Sequence, residues 1–106
     1  MREAALLVAC WSRSDMEFEW DERKNEVNYA KHGIAFEDAL SILRGPVVVQ
    51  EDDRRDYGER RYRVVSESNR QVLTIVYTFR SGRFRIISAR RAKRSEREAY
   101  QTLFPR

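Results

Sequence analysis

Several side chains in this sequence have the chemistry to hold a phosphate group and move a proton beside it. Lys24, Asn28 and Lys31 stand at i, i+4 and i+7, so on a helix they form one polar, basic face, with His32 just beyond. His32 is the only histidine. Its ordinary pKa lies near neutrality, which makes it the economical proton carrier, with Glu59, Tyr77 or Tyr100 as substitutes. Arg80 and Arg83 flank the turn pair Ser81-Gly82, and Arg90 ends the run Arg83-Phe84-Arg85-Ile86-Ile87-Ser88-Ala89-Arg90. A guanidinium stays charged at every working pH and its fork matches two phosphate oxygens. Strict alternation sends Phe84, Ile86, Ser88 and Arg90 to one face of that run, toward the core. A buried Arg90 then needs a phosphate or a carboxylate, and Glu96 and Glu59 are the available acids. Each group also has a plainer use: helix lysines are ordinary surface residues, His32 beside Gly33 can cap carbonyls, and Glu59 can simply pair with an arginine.

The elements that must position these groups are legible in outline. Met16 to Trp20 alternates as a short strand, with Phe18 and Trp20 on one face and Glu17 and Glu19 on the other. Asp21 is a helix N-cap, and Glu22 to Lys31 runs helically to Gly33, a left-handed C-cap. Phe36, Ala39, Leu40 and Leu43 form the buried stripe of a second helix, which Gly45-Pro46 ends. Val47 to Val49, Arg60 to Val65, Val72 to Phe79 and Arg83 to Ala89 read as four strands. The short links Ser66 to Arg70 and Ser81-Gly82 make the last three an antiparallel meander. Arg91 to Leu103 has neither Gly nor Pro and reads as a terminal helix, with Ala92, Ala99 and Leu103 on one side. The expected fold is therefore α+β, in the order β-α-α-β-β-β-β-α, over residues 16–106. Residues 1–15 are expected to be an N-terminal extension of uncertain order, and no function is assigned to them.

Composition narrows the class. A chain of 106 residues with 42% hydrophobic and 36% charged residues suits one globular domain with a crowded ionic surface. Cys10 is the only cysteine, which excludes an intrachain disulfide and a cysteine-based zinc site and fits a reducing compartment. The longest apolar run, Ala4 to Trp11, is too short to span a bilayer, so no membrane partner is expected. The acidic cluster Glu51, Asp52, Asp53 and Asp56 lacks the ligand spacing of a calcium loop and reads as a solvated loop, so no metal and no cofactor are expected. Nucleotide-binding glycine loops and the nucleophile elbow are missing too. The net charge of +4 hides a division: residues 1–59 carry 8 Lys/Arg against 14 Asp/Glu, a net −6, while residues 60–106 carry a net +10. That asymmetry points to a polyanion such as RNA facing one surface.

Three ordered motifs carry a family resemblance. They are Phe18-Glu19-Trp20-Asp21-x-x-Lys24-x-x-x-Asn28-x-x-Lys31-His32-Gly33-Ile34-x-Phe36, then Tyr57-Gly58-Glu59-x-Arg61, then Arg85-Ile86-Ile87-Ser88-Ala89-Arg90-x-Ala92 with Glu96-Arg97 and Tyr100. Across Met16 to Tyr100 the chain resembles the BrnT toxins. The resemblance implies a fold similar to the RelE ribonuclease toxins, with an antiparallel sheet, two N-terminal helices and a C-terminal helix. It also implies a cytoplasmic ribonuclease that inhibits translation, neutralised by a BrnA-like antitoxin with a ribbon-helix-helix region that reaches operator DNA on the toxin's behalf. The expected reaction is metal-independent attack of a ribose 2′-hydroxyl on the adjacent phosphorus. Its expected catalytic set is Lys24, Lys31, His32, Glu59, Arg80 and Arg90, with Arg80 and Arg90 as the phosphate clamps. Arg61, Arg83, Arg85, Arg91, Lys93, Arg94 and Tyr100 are expected to contact RNA around it. A non-catalytic RNA-binding module and a protein acting chiefly through its antitoxin complex remain the alternatives.

Overall fold

The Asp21 carboxylate accepts a hydrogen bond from the Arg23 amide at 2.8 Å, and this cap starts the first helix of the chain. In the computed structural model, which describes residues 6–10, 17–40, 46–52, 58–68 and 70–105, strands β1 (Leu6–Cys10) and β2 (Phe18–Trp20) precede helices α1 (Glu22–His32) and α2 (Phe36–Leu40). Strands β3 (Pro46–Glu51), β4 (Arg61–Ser68), β5 (Gln71–Arg80) and β6 (Arg83–Arg91) follow, and α3 (Arg94–Leu103) comes last. Leu43, Gly45 and Tyr57 lie outside the described residues, as do Met16, Asp53 and Asp56.

The sheet order is β1-β3-β4-β5-β6-β2. The meander β3 to β6 is antiparallel, and β2 joins its far edge parallel to β6, so the α+β expectation holds with the parallel pair at the strand before α1. Leu6–Cys10, which received no element from sequence, pairs antiparallel with β3 as the other edge. The β5–β6 turn is Ser81-Gly82 with φ of 51° and 77°, two positive values whose twist matches that of the strands they join. The β4–β5 link is shorter than expected, because β4 runs on to Ser68 and β5 begins at Gln71.

Two layers cover the sheet. On one face α1 and α2 enclose the main core, with Phe36, Val47, Val64, Ile75 and Ala89 fully buried and Phe18, Trp20 and Phe84 packed against them. On the other face α3 covers Val48, Val65 and Val72 with Tyr100, beside Ala92. The buried residues of α3 are Glu96 and Tyr100, whereas Ala99 and Leu103 are exposed, so the apolar side expected for this helix is displaced. The helix also starts later than expected, because β6 continues through Arg91.

The join between α1 and the sheet is made by two asparagines. Asn28 donates to the Ala89 carbonyl at 2.8 Å and accepts from the Ala89 amide at 3.1 Å. Its side-chain amide thus takes the place of a neighbouring strand on the β6 edge where β2 has ended. It also donates to the Ile34 carbonyl, closing the turn that Gly33 opens with φ of 73°. Asn25 accepts from the Phe36 amide at 2.8 Å and donates to Glu22 and Glu37, fixing α2 against α1. Asn28, read from sequence as part of a polar, basic helix face, is therefore buried and fully committed. Replacing Asn28 with Ala strands a buried N–H and a buried C=O, and is expected to lower unfolding free energy by about 3 kcal/mol. Urea unfolding measures this, and an unchanged midpoint would mean that water restores both bonds.

Candidate active site

Between α1 and the β6 edge lies a groove of about 400 Å³ lined by Arg23, Lys24, Val27, Asn28, Lys31, His32, Ile87 and Ser88. The helical spacing that puts Lys24 and Lys31 on one side also turns that side toward β6, because Asn28 between them is pinned to Ala89. Among the described residues, no carboxylate lines the groove. Among the described residues, no ion pair neutralises Arg23, Lys24 or Lys31. His32 is half-buried at the end of α1, and its pKa lies below the usual histidine value. Burial is the main cause, followed by the charges of Lys31 and Arg90. The imidazole is thus kept in its neutral, proton-accepting form at neutral pH.

Five arginines stand on the sheet face that α3 partly covers: Arg61, Arg63, Arg80, Arg85 and Arg90. Val76 and Thr78, the cross-strand partners of Arg63, Arg61 and Arg85, are buried among them. Carboxylates meet these cations. Glu59 accepts two bonds from Arg80 Nη2 and one from Nε, at 3.1 to 3.2 Å, and stands 3.8 Å from Arg61. Glu19 accepts from Arg85 at 2.7 Å, and on the rim Glu17 accepts from Arg83 at 3.2 Å. Glu96 is almost wholly buried and binds Arg90 through both oxygens, at 2.7 and 3.0 Å. It also accepts from Thr74, the Lys93 amide and, at 3.4 Å, Arg63. Burial alone would raise its pKa, but the bonds from Arg90, the Lys93 amide and Thr74 hold the carboxyl at about 2.

The structure therefore divides the expected catalytic set. It brings Lys24, Lys31 and His32 into one groove, with Arg90 within electrostatic reach of His32. It places Glu59 and Arg80 at the other end of the sheet. Arg90 pairs with Thr74 across the ladder, and Arg80 lies six residues further along β5, roughly 20 Å away at strand spacing. The two arginines cannot clamp the same phosphate. Arg90 also faces away from the main core, contrary to strict alternation. A β-bulge pairs Tyr77 with Ile86 and Val76 with Ser88, so Ile87 is extra and every later side chain changes face. Ala89 enters the core instead, and Arg90 meets Glu96 on the α3 side.

The remaining expected contacts separate by exposure. Arg91, Lys93 and Arg94 are solvent-facing where β6 passes into α3, with Arg94 paired to Glu98 within the helix. Tyr100 is buried, its hydroxyl donating to the Pro46 carbonyl at 3.1 Å, so its ring is a core element and not a surface on which a base can stack. Tyr77 is buried as well, and burial together with Tyr62 pushes its hydroxyl far above the range useful for proton transfer. Sequence reasoning gave Glu96 only the role of one possible partner for Arg90, and did not reach Arg23 or Ser88. The spacing of Arg23 one residue before Lys24 was the available signal. Among the described residues, no group of three or more His, Cys, Asp or Glu side chains gathers in a way that could hold a metal ion. Among the same residues, no helix is long and apolar enough to cross a membrane.

The family model described as the ribonuclease toxin BrnT of type II toxin–antitoxin systems matches residues 20–96. The chain belongs to this family. The match takes in Lys24, Lys31, His32, Glu59, Arg80, Arg90 and Glu96 together, so both ends of the arginine face and the whole α1–β6 groove fall inside the BrnT region. A BrnT protein is a ribonuclease toxin, with RNA as its substrate and an antitoxin as its partner. Among curated proteins, no sequence matches the chain.

The buried carboxylate makes stability depend on acid. With Glu96 lowered from 4.5 to about 2 in the folded BrnT chain, its contribution is complete above the unfolded pKa and is lost as pH falls from about 4.5 toward 2. The expected loss is about 3 kcal/mol relative to Glu96→Gln, whose stability lacks this step. Urea unfolding of both proteins across that window tests it, and parallel pH curves would sink the assignment.

Proposed function

We propose that this BrnT toxin cuts RNA without a metal ion, and that the scissile phosphate lies in the α1–β6 groove. The carrying observation is a groove whose cations have no carboxylate partner among the described residues, where most other arginines are paired. A polyanion entering there gains charge-assisted bonds without first displacing an acid.

Neutral His32 accepts the proton of the ribose 2′-hydroxyl, the oxygen attacks phosphorus, and the bond to the 5′-oxygen breaks. The leaving oxygen takes its proton from water in the open groove, and the products are a 2′,3′-cyclic phosphate and a free 5′-hydroxyl. Lys31, next to His32, neutralises the charge that builds on the non-bridging oxygens, and the Ser88 hydroxyl donates to one of them. Lys24 lies two helical turns up α1, about 10 Å from Lys31, and holds a neighbouring phosphate. Arg90 is held rigidly by Glu96 and adds a fixed positive field without reorganising during the reaction. Arg80, Arg83 and Arg85, with their carboxylates, form a separate exposed rim for flanking RNA or for the antitoxin. A BrnA-like antitoxin with a ribbon-helix-helix region would inhibit by laying acidic groups over these cations and would carry the pair to operator DNA. Cutting cellular RNA in the cytoplasm would inhibit translation.

Purified toxin incubated with a structured RNA in EDTA is expected to cleave it. Lys31→Ala and His32→Ala are expected to lose about 10² to 10³ in rate, while Arg80→Ala stays within about threefold of the parent. Folded Lys31→Ala protein with full activity would refute the groove, and parent cleavage that requires added Mg²⁺ would refute the metal-free reaction. A further expectation concerns pH. Because the pKa of His32 in the free protein is lowered, kcat/KM for cleavage should rise with pH to a plateau, with a midpoint below the ordinary histidine value. An acid limb that persists unchanged in His32→Ala would assign the base to another group.

A further inference from the structure

Helix α1 docks on the sheet through polar side chains, its buried residues being Asn25 and Asn28, while its large apolar side chains stay outside. Val27 is 61% exposed and Tyr29 60%. Tyr29 turns away from β6, to a surface shared with Asn25, Glu26 and Ala35. Val27 instead lines the α1–β6 groove, three residues after Lys24 and four before Lys31 on the same side of the helix. Ile87 lines that groove from β6. It is the extra residue of the β-bulge and is half-buried. It belongs to neither apolar core, although Ile86 before it and Ala89 after it both enter the main one.

One exposed valine is ordinary on a protein surface. Aliphatic side chains from two separate elements that line one groove among Arg23, Lys24 and Lys31 make a different surface. It is an apolar patch beside cations that have no ion pair among the described residues. An unpaired nucleotide has the complementary make-up, a charged phosphate joined to a base whose flat face is apolar whatever its identity. With a phosphate at Lys31 and its neighbour at Lys24, the base between them covers the patch and keeps its edge in water. A groove of about 400 Å³ falls in the size range of small-ligand sites, with room for one base. A base inside a duplex cannot use the patch, because both of its faces are already stacked on its neighbours.

We propose that Val27 and Ile87 form a platform for one unstacked base of the substrate RNA, next to the scissile phosphate. The proposal rests on the placement of that phosphate in the α1–β6 groove, and it names the substrate class: single-stranded RNA, in which a base can leave its neighbours and lie on the protein. Aliphatic side chains offer no hydrogen bond to a base edge. The platform therefore selects unstacked over stacked nucleotides and not one base over another, with purines held more tightly than pyrimidines because they cover more of it. The bulge then serves the site, since it aims Ile87 at the substrate and not into a layer of the fold.

The test uses the full chain and two fluorescently labelled pentamers that cannot be cut because both lack the 2′-hydroxyl. One is oligodeoxyadenylate, and the other has the same length and charge but abasic sugars. Fluorescence anisotropy at low salt measures both dissociation constants. The adenylate is expected to bind about tenfold more tightly than the abasic chain. Val27→Ser, at an exposed helix position, is expected to weaken the adenylate about fivefold and to leave the abasic chain within about twofold, while Val27→Leu keeps the parent's preference. Ile87→Ser should act in the same direction, with its thermal unfolding midpoint showing that it is folded. Lys31→Ala is expected to weaken both pentamers alike. A parent that binds the two pentamers equally, or a Val27→Ser protein that weakens both alike or neither, would overturn the platform and leave the patch to an apolar side chain of the antitoxin. That failure leaves the Lys31 effect intact. Folded Lys31→Ala protein that binds both pentamers as tightly as the parent overturns the phosphate placement instead.

Discussion

A carboxylate buried beneath a layer of guanidinium groups is the constraint on which the α3 half of this protein is built. An isolated ionised acid at the depth of Glu96 is too costly to keep, and Arg63 and Arg90 beside one another would repel. Together they form a knot in which both Glu96 oxygens are bonded: by Arg90 through both Nη atoms, Thr74 from β5, the Lys93 amide from the start of α3, and Arg63 from β4. The knot decides where α3 begins, since the Lys93 amide is an otherwise unpaired donor at the helix end. It also decides how α3 lies, because Tyr100, one turn further on, is thereby set over Val48 and Val65, where its hydroxyl finds the Pro46 carbonyl. A hydrophobic group of similar size in place of Glu96 could fill the space but could not hold two arginines in fixed positions.

Neutralisation and not abundance separates the charged surfaces. The basic half of the sequence, residues 60–106, supplies the arginine face, yet Glu17, Glu19 and Glu59 from the acidic half return to meet Arg83, Arg85 and Arg80. Those pairs are partly exposed and individually worth little, so they balance the local field more than they stabilise the fold. The cations of α1 come from the acidic half and have no ion pair among the described residues, where two of the nearest acids are used elsewhere. Asp21 caps the helix, and Glu22 holds Asn25 and Trp20. Cations with no ion pair among the described residues thus stand in both halves of the chain, since Arg91, Lys93 and Arg97 of the basic half lack one as well.

What could be read from sequence follows the range of the interactions involved. Asp21, Gly33, the Ser81-Gly82 turn and the Phe36 to Leu40 stripe act within a few residues, and the elements they mark stand where expected. The set read from the sequence held Lys24, Lys31, His32 and Arg90 together with Glu59 and Arg80, which the fold places at the other end of the sheet. The bulge at Ile87 was not legible, because nothing in Ile86-Ile87-Ser88 distinguishes an extra residue from regular alternation, and its effect is to exchange Ala89 and Arg90 between faces. The 20 Å between Arg80 and Arg90 follows from one being at the turn and the other at the far end of the same hairpin. The buried stripe of α3 escaped an apolar count because one of its members is a carboxylate whose partners lie on three other elements. Tyr100 was assigned to RNA for its residue type, but a tyrosine with a buried ring and a bonded hydroxyl serves a core equally well.

The two asparagines and the buried glutamate connect these levels. Asn28 sets the distance between α1 and β6 by occupying the β6 edge, and without that fixed distance the α1 lysines would not line a groove at all. Glu96 fixes Arg90 from the opposite side of the same strand, one residue beyond Ala89. A single residue step along β6 therefore carries both anchors, and the bulge before it decides that Ala89 turns to the main core and Arg90 to the α3 side. His32 feels the result: Lys31 reaches it along α1 and Arg90 across the strand edge, and both lower its proton affinity. A positive field assembled in this way favours a phosphate and disfavours the imidazolium at once. Burial of the imidazole lowers that affinity most, so the neutral form of His32 depends on the packing of α1 against β6 as well as on the nearby cations.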